Sequence, residues 1–252
     1  MQPAGSPDFS QKRDEMSNSD NALSRIDRDG VSFWDASYRV KAAPALWCDG
    51  PVPFVKTAAS TFRELGAFKT LELPCGDGKN TLYLAEHVGC LVAADSSPTA
   101  LAIANRRLDG SGVRNCVLCA ADVFATQFTD SQFDAVFCCD LLGHLERADM
   151  ALKELMRICR PGGIVIGNVF GVGDSTRMAE GMVGLRNEEY VYRNKFYFRF
   201  YTEPELEALL LKWPSNVIEI ARARWMEGPH EGYREYAHEH ESLVFTLRKE
   251  TN

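Results

Sequence analysis

Five apolar runs recur between residues 69 and 170: KTLELP (69–74), CLVAAD (90–95), NCVLCAAD (115–122), FDAVFCCD (133–140) and GGIVIGNVF (162–170). Their shortness, and the Gly, Pro and Asp residues that bound them, predict strands covered on both faces, with helical stretches between several of them. Such alternation predicts an open, mainly parallel sheet with helices on both faces. Ser97 followed by Pro98 is a cap and first-turn pair; Leu101, Ala104 and Leu108 then recur at helical spacing until Gly110 stops the run. Across 146–160, Leu152, Leu155, Met156 and Cys159 share one helical face, and Pro161-Gly162-Gly163 ends the helix. The string YTEPELEALLLKW (201–213) predicts a helix capped by Thr202, opened by Pro204 and locked by Glu205 in a capping box. Strands near 216–225 and at 242–248 complete the pattern.

Residues 1–28 are polar and aperiodic and read as a loosely held lead, leaving one domain over 29–252. Within it, 29–68 forms an N-terminal arm, and 171–200, rich in Gly and Arg and without a clean period, reads as an insertion or lid. The chain has 252 residues with 28 Lys and Arg against 35 Asp and Glu, a net charge of −7, and 45% hydrophobic content, which excludes a disordered chain. The acidic balance disfavours nucleic acid and anionic membranes as partners and moves small molecules ahead. No apolar run approaches the ~18 residues of a membrane span and the polar lead has no apolar signal core, so the expected location is cytoplasmic. Eight cysteines are read as reduced apolar residues. Cys116 and Cys119 form a C-x-x-C in a strand-like run, where they face opposite sides, and no metal site is assigned to them.

Chemistry concentrates at strand ends. In LELPCGDGKNT (71–81) a strand ends in Glu72, a turn carries Gly76 and Gly78, and a helix starts near Lys79. Such a turn lets backbone approach a ligand closely, and the free N–H groups at the helix start favour a carboxylate or phosphate. Asp95 ends the second strand, 19 residues beyond Gly76, where an acid can accept both hydroxyls of a ribose. Asp122 follows the third strand, placed for an adenine edge, with Val123 and Phe124 available to pack on the ring. Three acids in register at one sheet edge point to a nucleoside. The dinucleotide fingerprint wants a third glycine where this chain has Thr81, which weighs against a nicotinamide dehydrogenase.

This stretch resembles the first motif of the class I S-adenosylmethionine-dependent methyltransferases, an acid-x-Gly-x-Gly-x-Gly turn matched here by Glu72, Pro74, Gly76 and Gly78. Asp95, Asp122 and the RPGG turn at 160–163 extend the match, and Pro74 in place of the first glycine departs from it. The resemblance implies a Rossmann-like, seven-stranded, mainly parallel sheet with an antiparallel last strand, S-adenosylmethionine as cofactor, and Ser96 and Cys139 as further cofactor contacts. FWDASYR (33–39) and LWCDGPVPF (46–54) are similar to the small-molecule branch around thiopurine, thiol and tellurite-resistance methyltransferases, where an aromatic arm folds over the cofactor. Trp34, Tyr38 and Trp47 suit a sulfonium cation, or else they pin the arm to the domain. The place of the Asn-Pro-Pro-aromatic turn of nucleic-acid amino-methyltransferases reads Cys138-Cys139-Asp140-Leu141-Leu142, against that activity.

The expected reaction is transfer of the sulfonium methyl to an N, O or S atom of a small molecule. Another nucleoside-cofactor enzyme, such as an aminopropyl transferase, and a non-catalytic S-adenosylmethionine-binding protein are the alternatives. Catalytic candidates are His144, past the fourth strand, and His230, His238 and His240 in GPHEGYREYAHEHESLV (228–244). In an extended segment His238 and His240 point to one face, and each of the three can serve as base, hydrogen-bonding group or metal ligand. Tyr233, Arg199 and Asp140 are the candidate substrate contacts.

Overall fold

The computed structural model describes residues 31–40, 50–193, 196–229 and 236–251. The lead over 1–28 lies outside them. After α1 (Val31–Val40) and α2 (Val55–Glu64) come β1 (Lys69–Glu72), α3 (Lys79–Ala85), β2 (Cys90–Asp95), α4 (Pro98–Leu108), β3 (Cys116–Ala120) and β4 (Phe133–Cys138). Then follow α5 (Ala148–Ile158), β5 (Cys159–Gly171), β6 (Met182–Gly184), β7 (Glu189–Tyr192), β8 (Phe196–Tyr201), α6 (Glu203–Leu210), β9 (Ser215–Glu227) and β10 (His238–Lys249).

Side-chain alternation along the central strands assigns the two helical layers. Ala135 and Phe137 of β4 and Ile164 and Ile166 of β5 pack with Val55, Phe62 and Leu84 of α2 and α3. Val136 and Val165, one residue out of phase, pack with Leu152 and Leu155 of α5 and Leu206 and Leu210 of α6. Strands apolar on both faces must lie between two layers, and that is how they read in the sequence.

The core sheet runs β3-β2-β1-β4-β5-β10-β9, with β1 to β5 parallel and β10 antiparallel to both neighbours. It is the expected seven-stranded sheet with an antiparallel last strand. β1 lies between β2 and β4, so the chain reverses its direction of travel across the sheet there, and the carboxyl ends of these strands open a crevice.

Three strands were not legible. The segment after β5 folds as an antiparallel meander, with Met182 opposite Tyr192 and Glu189 opposite Arg199, joined to the sheet where Phe170 pairs with Phe200. Its strands are three to six residues long and its glycines interrupt the alternation, so periodicity had nothing to register. A second difference concerns RPGG, which does not simply stop α5. Phe133 pairs with Cys159 and Ala135 next with Ile164, so Arg160 to Gly163 is a bulge inside β5. Pro161 lacks an N–H and Gly162 has φ of 73°, conditions under which a strand buckles outward. Cys116 and Cys119 sit on β3 as free thiols, like the other described cysteines.

The capping box is present: the Thr202 hydroxyl accepts the Glu205 N–H, and the Glu205 carboxylate accepts the Thr202 N–H at 2.9 Å. It sets the start of α6, whose Leu206, Leu209 and Leu210 cover the sheet. Thr202→Ala should destabilise the protein by about 1 kcal/mol, read as a thermal midpoint about 2–4 °C lower in a chain of this size.

Candidate active site

The crevice holds a cavity of about 390 Å³, within the range of small-molecule sites. Its first half is built on β1, β2 and the loop after β3. Gly76 has φ of 52°, and a Cβ there would stand 2.8 Å from the Tyr38 hydroxyl, so this turn accepts only glycine beneath the arm helix. Gly78 has φ of 84° and a Cβ on it would press on Ala104 of α4 at 3.1 Å. The Leu73–Pro74 peptide is cis.

Asp95 closes this half. Its Oδ2 accepts the Gly76 N–H and its Oδ1 the Ser97 N–H, both at 2.9 Å, and burial raises its pKa against the pull of those bonds. Each carboxylate oxygen keeps a second lone pair, the acceptor capacity a ribose diol requires. Ser97 in turn donates to Asp35 of α1 at 2.7 Å, and Asp35 also accepts the Thr99 N–H at 2.9 Å. These bonds, from Thr99 first and Ser97 next, lower the Asp35 pKa to about 2 and dock the arm onto the start of α4. Asp122 stands at the mouth of the cavity, its carboxylate accepting the Phe124 N–H at 2.9 Å, beside buried Val123.

The second half is aromatic. Phe170, Phe196 and Phe198 form one buried cluster with Trp34 packed on it. His144 sits among them, its ring centroid 5.0 Å from Trp34, 4.9 Å from Phe170 and 4.6 Å from Phe198. Its Nδ1 lies 2.9 Å from the Tyr197 carbonyl, which can only accept, so Nδ1 carries the hydrogen and Nε2 the lone pair. Burial lowers the pKa of His144, more than the Tyr197 and Asp140 contributions raise it, and keeps the ring neutral. Asp140, at φ of 51°, is pinned by Asn168: its N–H donates to Oδ1 at 2.8 Å and its carboxylate accepts from Nδ2 at 2.7 Å.

The far wall comprises Trp225, Met226, Glu227, His238 and His240. His240 Nδ1 lies 2.9 Å from Asp174 and its Nε2 lies 2.8 Å from Glu227. Burial pulls the His240 pKa down, but the hydrogen bonds and charges of these two carboxylates outweigh it and push the value up to about 9.

Of the residues singled out in the sequence, Tyr38, Pro74, Gly76, Asp95, Ser96, Asp122, Val123, Cys139, Asp140, His144, His238 and His240 line this one cavity. Trp47, His230 and Tyr233 lie outside the described residues. Three others differ from expectation. Gly78 contributes spacing against α4 and not a cavity wall. Glu72 is fully buried behind the turn, where its Oε2 accepts the Thr81 hydroxyl at 2.6 Å and its Oε1 has no partner. Burial, with Asp77 and Asp95 adding to it against the Thr81 bond, pushes the Glu72 pKa up to about 8. Arg199 does not line the cavity; it is stacked on Tyr201 and paired with Glu189 at 3.7 Å, on the face of β8 opposite Phe196 and Phe198. The reading from sequence missed Phe170, Phe196, Phe198, Trp225, Glu227 and Asp174. Of these only Glu227 carried a signal, as an acid directly preceding the histidine-rich segment.

Residues 70–163 match the family model of a methyltransferase domain. A curated relative is sterol 4-C-methyltransferase strm-1 of Caenorhabditis elegans, 27% identical over 152 residues that cover 59% of this chain and 45% of that protein. The chain spans less than half the length of the first curated relatives it matches. Among solved structures, a protein studied for the conversion of a disulfide bond into a thioacetal group in echinomycin biosynthesis superposes with a TM-score of 0.68 at 20% identity, covering 88% of this chain and 93% of that one. The N-methyltransferase NodS of Bradyrhizobium japonicum, solved with S-adenosyl-L-homocysteine, gives 0.56 at 18%, covering 86% and 98%. Residues 70–163 are thus similar to a methyltransferase domain, and the chain shares the fold of these structures.

Two measurements probe this geometry. Asp95→Ala should weaken S-adenosylhomocysteine by about 1.5–3 kcal/mol, the scale of hydrogen bonds to a charged group, in isothermal titration calorimetry; an unchanged affinity removes Asp95 from the site. Glu72, with its raised pKa, stabilises the fold fully below the ordinary 4.5 and loses that contribution as pH rises through about 8. Glu72→Gln, neutral at every pH, should therefore melt at least about 2–4 °C above the parent at pH 8.5, equivalent to roughly 1 kcal/mol, with the advantage vanishing near pH 5.

Proposed function

We propose that this protein transfers a methyl group from S-adenosylmethionine to a nitrogen or oxygen atom of a small, partly aromatic acceptor, with His144 as general base. The carrying observation is that the ribose-type acid Asp95 and a neutral histidine, its Nδ1 hydrogen taken by the Tyr197 carbonyl and its lone pair left on Nε2, line one cavity. Asp95, Gly76 and Ser96 would hold the nucleoside, Asp122 and Val123 its base. When bound, S-adenosylmethionine supplies a methyl already made electrophilic by the sulfonium charge.

What remains for the chain is alignment, exclusion of water and removal of a proton. Trp34, Phe170, Phe196 and Phe198 keep the acceptor region dry, and the arm helix α1, docked through Asp35, covers it as a lid. His144 takes the acceptor's proton at Nε2, and the Tyr197 carbonyl, accepting from Nδ1–H, steadies the imidazolium that forms. Asp140, held by Asn168, lies close enough to contribute to its charge. An amine, phenol or hydroxyl acceptor needs this base, whereas a thiolate does not, which favours N or O over S.

His144→Ala should leave S-adenosylhomocysteine affinity within about twofold while lowering turnover roughly 10²-fold or more, the scale of a lost general base. Because the His144 pKa is lowered, kcat/KM in the parent should fall only at pH values below the ordinary 6.5, and that acidic limb should disappear in His144→Ala. Near-normal turnover with the limb intact would overturn the assignment. Binding of NAD in preference to S-adenosylhomocysteine would overturn the function as a whole.

A further inference from the structure

The methyl-transfer reading makes no use of the far wall of the cavity, and this wall is organised for a ligand of its own. Glu227 ends β9 directly opposite His238, the first residue of β10, and His240, two residues further on, lies on the same face of the strand. Three side-chain atoms converge there. His238 Nε2 and His240 Nε2 are 3.1 Å apart, and Glu227 Oε2 stands 2.8 Å from the second and 3.6 Å from the first.

Both rings are fixed from behind. His238 Nδ1 lies 3.0 Å from the Tyr236 carbonyl, and His240 Nδ1 lies 2.9 Å from Asp174 Oδ2. A carbonyl and a carboxylate only accept, so each Nδ1 carries a hydrogen, and each ring directs its Nε2 at the common point. Asp174 is itself held: its Oδ1 accepts the Thr176 N–H at 2.7 Å and its Oδ2 the Glu241 N–H at 3.0 Å. Histidines that bind metals show this second tier, with the far nitrogen donating to a carbonyl or carboxylate that sets the tautomer and raises the basicity of the near one.

With both Nδ1 atoms protonated, the Nε2 lone pairs of the two neutral rings and a Glu227 carboxylate oxygen form a donor set for a cation, which would take the place of any proton shared between His240 and Glu227. A cation at the centre accepts from all three. The triangle formed by the three measured separations has a circumscribed radius of about 1.9 Å, less than the ~2.0–2.2 Å of zinc bonds to N and O. A point at bonding distance from every ligand atom therefore exists just outside their plane.

We propose that Glu227, His238 and His240 bind a divalent transition-metal ion of the zinc and iron class, as a two-histidine, one-carboxylate set on the acceptor side of the cavity. Imidazole ligands select against magnesium and calcium, and the absence of thiolate from the set selects against soft monovalent ions. Glu227 and His238 are 8% and 4% exposed, so the ion would sit at the cavity wall and not on the surface. Only the role of the ion rests on the methyl-transfer reading: at the cavity wall it would hold an acceptor through an oxygen donor and lower the pKa of a bound hydroxyl. Binding of the ion does not depend on that reading.

The test uses the full chain without an affinity tag, stripped with a chelator and dialysed against Zn²⁺ or Co²⁺. We expect one ion per chain by mass spectrometry and, with Co²⁺, visible d–d absorption. His238→Ala, His240→Ala and Glu227→Gln should each weaken metal binding at least tenfold, and the double variant His238→Ala/His240→Ala should bind none. S-adenosylhomocysteine affinity should stay within twofold in all of them, which also reports that they fold. Failure of the parent to bind either ion stoichiometrically, or equal binding by the double variant, would overturn the site. Metal binding without S-adenosylhomocysteine binding would leave the site standing and remove the methyl-transfer reading instead; the reverse pattern would do the opposite.

Discussion

The buried carboxylate of Asp95 is the tie on which the rest of the site depends. A carboxylate out of water persists only if its oxygens are hydrogen-bonded, and here the two donors come from different elements, the Gly76 N–H of the turn after β1 and the Ser97 N–H at the start of α4. Satisfying that one group therefore sets the turn, the end of β2 and the first residue of a helix relative to one another. Ser97 extends the tie to Asp35, and through it to the arm helix carrying Trp34 and Tyr38. The turn after β1 and the arm helix are thus positioned by a single chain of charge-assisted bonds.

Beyond that tie the cavity divides by environment. His144 and His240 are the same residue type on opposite walls, driven in opposite directions. Aromatic neighbours and burial leave His144 neutral, whereas Asp174 and Glu227 draw positive charge onto His240 or its surroundings. One wall disfavours positive charge and the other favours it. The two environments require different neighbours, and the fold supplies them from different segments, β5 and β8 on one side and β9, β10 and the Asp174 turn on the other.

The meander between β5 and α6 is what makes the aromatic wall. Phe170 alone, at the end of β5, would leave the crevice open. Pairing β8 beside it brings Phe196 and Phe198 into the same cluster and places the Tyr197 carbonyl, whose side chain faces the other way, against His144. The alternation of a strand thus supplies both apolar walls and the polar anchor of His144 from three consecutive residues.

How much of this was legible in the sequence follows from the range of the forces involved. Buried parallel strands, the Ser97 and Thr202 caps and the glycine turn are local: their signals are spacing, capping chemistry and backbone freedom within a few residues, and the sequence alone determined them. The acids at the ends of β2 and after β3 were legible for the same reason, since strand periodicity fixes where each strand stops. Contacts between distant segments were not. Nothing near Glu72 announces that it is sealed behind the turn, nothing near Arg199 that it packs on Tyr201 away from the cavity, and the short meander strands have no periodicity to read. The His240–Asp174 pair spans 66 residues and the His144–Tyr197 pair 53. Only the tertiary structure decided which carbonyl fixes a tautomer and which carboxylates face a histidine, because pKa and donor direction depend on what packs against a group, and packing partners in this sheet come from anywhere along the chain.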